Sequence, residues 1–80
     1  MNTTTARHLS DCHVGEKAKI LRISGHGAFR KRLLELGFTR GADVSVVRYA
    51  PLRDPIAVNI CGSIISLRVV EAALIEVETP

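Results

Sequence analysis

Three stretches decide the fold: Asp43-Val-Ser-Val-Val-Arg-Tyr49, Ile56-Ala-Val-Asn-Ile60 and Ile64-Ile-Ser-Leu67. The first is β-branched, and the second alternates, with Ile56, Val58 and Ile60 on one face, as a half-buried strand requires. Ala50-Pro-Leu-Arg-Asp-Pro55 separates them as a loop punctuated by two prolines, and Gly62-Ser63 reads as a tight hairpin connection. The second half of the chain is therefore strand after strand.

Working outward, Ala18-Lys-Ile-Leu-Arg-Ile23 is a further strand, ended by Ser24-Gly25-His26-Gly27. Ala28-Phe-Arg-Lys-Arg-Leu-Leu-Glu-Leu36 then places Phe29, Leu33 and Leu36 at i, i+4 and i+7, the spacing of one helical face. Gly37 suits the left-handed position that stops a helix. On the C-terminal side, Arg68 to Ala72 allows one helical turn, and Leu74 to Glu78 forms a last strand with Ile75 and Val77 inward. Five short strands in so few residues close most economically as a barrel. The expectation is a mainly β, five-stranded SH3-like barrel with one inserted α-helix at about 28–36 and a short helical turn before the last strand. Residues 1–8 are polar and aperiodic, a flexible N-terminal arm, and residues 9–78 form a single domain.

Eighty residues, 46% of them hydrophobic, allow one core and leave little for a deep pocket. No apolar run is long enough to span a bilayer, and Met1 to His8 has no signal-like core, so a cytoplasmic location is expected. Cys12 and Cys61 match no paired motif and are expected as two free thiols. The net charge of +3 is uneven: ten of eleven Lys/Arg precede Asp54, leaving +6 before it and −3 from it onward. With only Phe29, Phe38 and Tyr49 as aromatics, the chain lacks the stacking platforms of nucleic-acid or polyproline grooves. A basic chain without such platforms points to a protein partner rather than nucleic acid.

One ordered set of residues carries a family resemblance. It comprises Leu9 and Gly15; Arg32-Leu33 and Leu36-Gly37-Phe38; Gly41 and Val44; Ala50-Pro51-Leu52 and Asp54-Pro55; Leu67-Arg68; Glu71-Ala72; and Ile75-x-Val77. Over residues 9 to 77 the chain resembles the FeoA family of bacterial ferrous iron transport, itself similar to the C-terminal SH3-like domain of diphtheria-toxin-repressor-type metalloregulators. Arg40 departs from the proline common there. The resemblance implies a cytoplasmic accessory or regulatory protein that binds FeoB, the membrane permease with a cytoplasmic G-protein-like domain. A metal-responsive regulatory or oligomerisation module, acting without the permease, is the alternative.

The candidate docking residues are Arg30 and Leu34 on the helix, Arg48 on the strand, and Leu52 and Arg53 in the proline-bounded loop, where prolines lower the ordering cost of binding. His8, Cys12 and His13 form the single local cluster of soft ligands. They suit zinc or ferrous iron but lack a fourth member, which a second chain could supply in a metal-bridged homodimer. No cofactor is required by the fold, and no catalytic role is assigned. Asp11-Cys12-His13 offers no pocket, and Gly25-His-Gly27 is not followed by the Lys-Ser/Thr of a phosphate loop.

Overall fold

The computed structural model describes residues 6–79. The strands are β1 (Ala6–His8), β2 (Lys17–Ile23), β3 (Asp43–Tyr49), β4 (Ile56–Ile60), β5 (Ser63–Leu67) and β6 (Ile75–Glu78); the helices are α1 (Gly27–Glu35) and α2 (Val69–Ala72). They form one antiparallel sheet in the order β1-β6-β2-β3-β4-β5. The mainly β class with one inserted helix stands.

Two expectations are corrected. Among the described residues the sheet has six strands, and its end strands β1 and β5 do not pair with each other, so no hydrogen bonds between them close the barrel. Organised structure also begins before Leu9, because Ala6–His8 pair with β6 from Ala6↔Glu78 to His8↔Glu76. The expected arm over 1–8 therefore fails for its last three residues, while residues 1–5 lie outside the described part. Three residues are too few to show periodicity, and their partner lies at the other end of the sequence.

The strands obey their alternation except where bulges reset it. In β2, Ala18 and Ile20 point inward between exposed lysines, and a register shift between Ile20 and Arg22 returns Ile23 to the core. In β3 a similar shift between Val46 and Arg48 leaves Val47 outward and 40% exposed. The β4–β5 turn is Cys61-Gly62, one residue earlier than the expected Gly62-Ser63. Both turn residues have positive φ (51° and 92°), which matches the right-handed twist of the flanking strands. Asn59 Oδ1 accepts the Gly62 N–H at 2.9 Å.

Helix α1 stops as its sequence dictates. Gly37 adopts φ 108°, its N–H donates to the Leu34 carbonyl, and the Phe38 N–H donates to the Leu33 carbonyl at 3.0 Å. That paired closure turns the chain so that Phe38 enters the core beside Leu33, both wholly buried. Phe38 is the largest fully buried side chain of a core built from all six strands' inner faces except β1's, together with Leu9, Cys12 and Ala72. Truncating it leaves a cavity that a small barrel cannot refill. Phe38→Ala is expected to cost about 3–5 kcal/mol in denaturant unfolding, a large share of the stability of so small a fold.

Candidate protein-docking surface

The 50–55 loop is held from both sides. The Ala50 N–H donates to the Pro55 carbonyl at 3.0 Å, and the Arg53 N–H donates to the Ala50 carbonyl at 2.7 Å. Asp54 turns away from its own loop: its Oδ1 accepts the Val69 N–H at 3.0 Å and the Arg68 Nε at 3.3 Å. One carboxylate thus supplies an acceptor for the otherwise unpaired first turn of α2 and ties the loop to it. Glu71 completes the start of α2 by accepting the Arg68 N–H.

The Arg53 guanidinium folds back over the Tyr49 ring, 4.3 Å from its centroid. The Tyr49 hydroxyl in turn donates to the Cys12 carbonyl, with the Ser10 carbonyl at 3.4 Å. Burial pushes the Tyr49 hydroxyl above its ordinary pKa, partly opposed by Arg53. Leu52 has no such tie among the described residues and stands 90% exposed. Arg48, exposed on β3, shares a shallow groove with Ala50, Pro55, Ala57 and Ser66 beside the same loop.

The C-terminal end of the helix lies elsewhere. The loop leads into the Ile56 end of β4, whereas a Cβ at Gly37, just after α1, would sit 3.8 Å from Ile60 at the other end. Five strand residues separate these ends by roughly 13 Å. Arg30 is exposed on α1, but Leu34 is half-buried and packs against the core, so α1 covers a wider stripe than Phe29, Leu33 and Leu36. Leu34 is therefore corrected from an exposed contact to a packing residue. Phe38 is likewise buried rather than available, which leaves Tyr49, capped by Arg53, as the only ring beside the loop.

The N-terminal ligand cluster does not converge. The 3-10 turn Leu9–Asp11 buries Leu9 and Cys12, whose thiol lies 3.8 Å from the His8 carbonyl, while His8 and His13 are exposed. Burial is the main cause that pushes the Cys12 thiol above its ordinary pKa, with Glu16 adding to it. A buried, protonated thiol is a poor metal ligand. Among the described residues no three His, Cys, Asp or Glu side chains come together to hold a metal ion. The three residues do not fit a metal within one chain.

What organises this corner is an ion pair the sequence did not advertise. Arg7 bonds Glu16 and also donates to the Asp11 carbonyl at 2.7 Å, while Glu16 accepts the His13 N–H at 2.9 Å. Its hydrogen bond to Arg7 holds the Glu16 carboxyl below the usual glutamate range. The larger concavities are open grooves around Lys17, Ala18 and Asp43, one bordered by Glu78 and the other by Cys61. Neither encloses a group the way a reaction site does.

A model of the FeoA domain matches residues 7–79. The chain belongs to the FeoA family. Across 70 residues it is 51% identical to the Fe(2+) transport protein A/Fe(2+) transporter FeoB fusion protein of Porphyromonas gingivalis, covering 88% of this chain and 8% of that protein. The FeoA protein of Chlorobium tepidum is 40% identical, with a TM-score of 0.87 over 91% of this chain and 70% of that one. The Stenotrophomonas maltophilia FeoA, an SH3 domain protein solved with zinc, is 28% identical with a TM-score of 0.80, over 89% of this chain and 88% of its own. A manganese-dependent transcriptional repressor, 22% identical with a TM-score of 0.86 over 100% of this chain and 45% of that one, shares the fold. Among the described residues of this FeoA domain, no helix is long and apolar enough to cross a membrane.

Two outcomes follow for this FeoA domain. A thiol reagent should label Cys61, which is exposed, at once and Cys12 only on unfolding; equal rates would show that the Leu9–Cys12 turn opens in the native state. The Glu16 contribution to stability is complete above the ordinary glutamate pKa, about 4.3, and is lost as pH falls through its lower folded value. Glu16→Gln should therefore flatten the acid limb of a stability profile below about pH 4.3.

Proposed function

We propose that this FeoA domain is a cytoplasmic, non-catalytic accessory module of ferrous iron uptake that binds the FeoB permease. The observation that carries this reading is the Porphyromonas gingivalis fusion, in which a domain 51% identical to this one is joined to FeoB in one polypeptide. Covalent linkage raises the effective concentration of one module beside another, so fusion is the arrangement expected of partners that bind each other.

The docking face proposed is Leu52 with Arg48 and Arg53. Leu52 supplies an apolar anchor on a loop already ordered by Asp54 and by the Arg53–Tyr49 stack, so binding pays little to immobilise it. The arginines favour an acidic surface on the permease's cytoplasmic G-protein-like domain. Arg30, exposed on α1, acts as a separate, peripheral steering charge. A transition metal is no requirement of this reading. The zinc in the Stenotrophomonas maltophilia structure supports the metal-responsive alternative only through that relative. In this chain exposed His8 and His13 would need ligands from a second copy.

The test is a pull-down of this FeoA domain against the soluble part of FeoB in its different nucleotide states. Leu52→Ala with Arg48→Glu should weaken capture at least about tenfold, as loss of an anchor and of a charge contact does, with unchanged circular dichroism. Raising salt should weaken the wild type further. Affinity unchanged by both substitutions would remove this face from the interface.

A further inference from the structure

Among the described residues, strand β5 is an open edge without the usual protection. The opposite edge, β1, is three residues long and carries Arg7. In contrast, β5 reads Ser-Ile-Ile-Ser-Leu, with no charge, no proline and no bulge along its register with β4. Exposed edges normally carry such features to prevent pairing with another chain. Ile64, on the outer face of this strand, is 59% exposed.

The hairpin determines which backbone groups are free. A two-residue turn makes its flanking pair, Ile60 and Ser63, hydrogen-bonded; alternation along the ladder then makes Val58/Ile65 and Ile56/Leu67 the next bonded pairs. The N–H and C=O groups of Ile64 and Ser66 consequently point away from β4, at the open edge. Antiparallel pairing of this edge with itself, centred on Ile65, sets Ile64 of one copy opposite Ser66 of the other. The outward groups of those residues are then the ones that meet, giving four hydrogen bonds between chains.

We propose that this chain dimerises with a second copy of itself by pairing β5 with β5 about a two-fold axis at Ile65, without metal. The register of this edge is complementary to itself, and charge along the seam does not oppose this occupant. Following the registers across the outer face, the row Arg48–Ala57–Ser66 continues into Ile64–Asn59–Ser45 of the second copy, so each arginine lies in line with a serine and no like charges meet. On the inner face the half-buried Ile65 residues of the two copies become neighbours at the close, non-hydrogen-bonded spacing. Ile64 is covered in the same step. An isologous contact of this kind closes on itself and does not propagate.

The experiment uses the register. Ile64 and Ser66 are exposed, so charging them leaves the core alone. Ile64→Lys with Ser66→Lys sets lysine opposite lysine twice, whereas Ile64→Lys with Ser66→Glu sets lysine opposite glutamate twice. In sedimentation equilibrium with a chelator present, the wild type should show a concentration-dependent dimer. The double-lysine variant should dissociate at least about tenfold more readily, and the Lys/Glu variant should stay dimeric. Amide exchange at Ile64 and Ser66 should slow as concentration rises. A wild type monomeric up to about 1 mM, the weakest affinity such pairing could usefully have, overturns the proposal. So do two variants that associate alike, or Ile64 and Ser66 amides protected only when a different protein is added.

Discussion

Strand β6 lies between β1 and β2, and this one placement holds the two ends of the chain together. Its register, from Ala6↔Glu78 on one side and Ile20↔Val77 on the other, joins residues from opposite ends of the described chain. Closing so long a loop costs entropy before any contact repays it. The repayment is the burial of Ile75 and Val77, both wholly enclosed, and of Leu9, which the β1 pairing delivers to the core. Once Leu9 is placed, the short turn after it buries Cys12 and presents its carbonyl to Tyr49.

From that point the ties run outward to the surface. Tyr49, fixed by the N-terminal turn, offers its ring to Arg53, and Asp54 next to it anchors the loop to α2. The exposed Leu52 thus depends, through a chain of contacts, on the pairing of the first and last strands. Apart from the Cys12 thiol, the described core holds no titratable group, so this domain keeps its chemistry at the surface. An anchor on a pre-ordered loop suits recognition, where ordering cost limits affinity, better than it suits acid–base work.

Much of this was legible because it is local. The alternation of Ile56, Val58 and Ile60, the Phe29/Leu33 spacing and the Gly37 stop each act within a few residues, and each appears as expected. The 50–55 loop was legible for the same reason, since two prolines bound it. The burial of Leu34 and Phe38 was not, because it depends on how wide a stripe of α1 the sheet covers and where the chain goes after Gly37. The metal cluster failed on similar grounds: His8, Cys12 and His13 are neighbours in sequence, but the turn that buries Leu9 draws Cys12 inward and leaves both histidines outside.

By itself the sequence determined the mainly β class, the single long helix, the proline-bounded loop and the uneven charge, all consequences of side-chain period and backbone preference over short spans. Only the tertiary structure decided that three residues of the presumed arm are a sheet edge. It also showed that Asp54 serves α2 and that, among the described residues, the sheet ends on an unprotected β5. Those outcomes rest on hydrogen bonds between residues far apart in the chain, and a strand's edge is open or covered according to its neighbours, not its own composition.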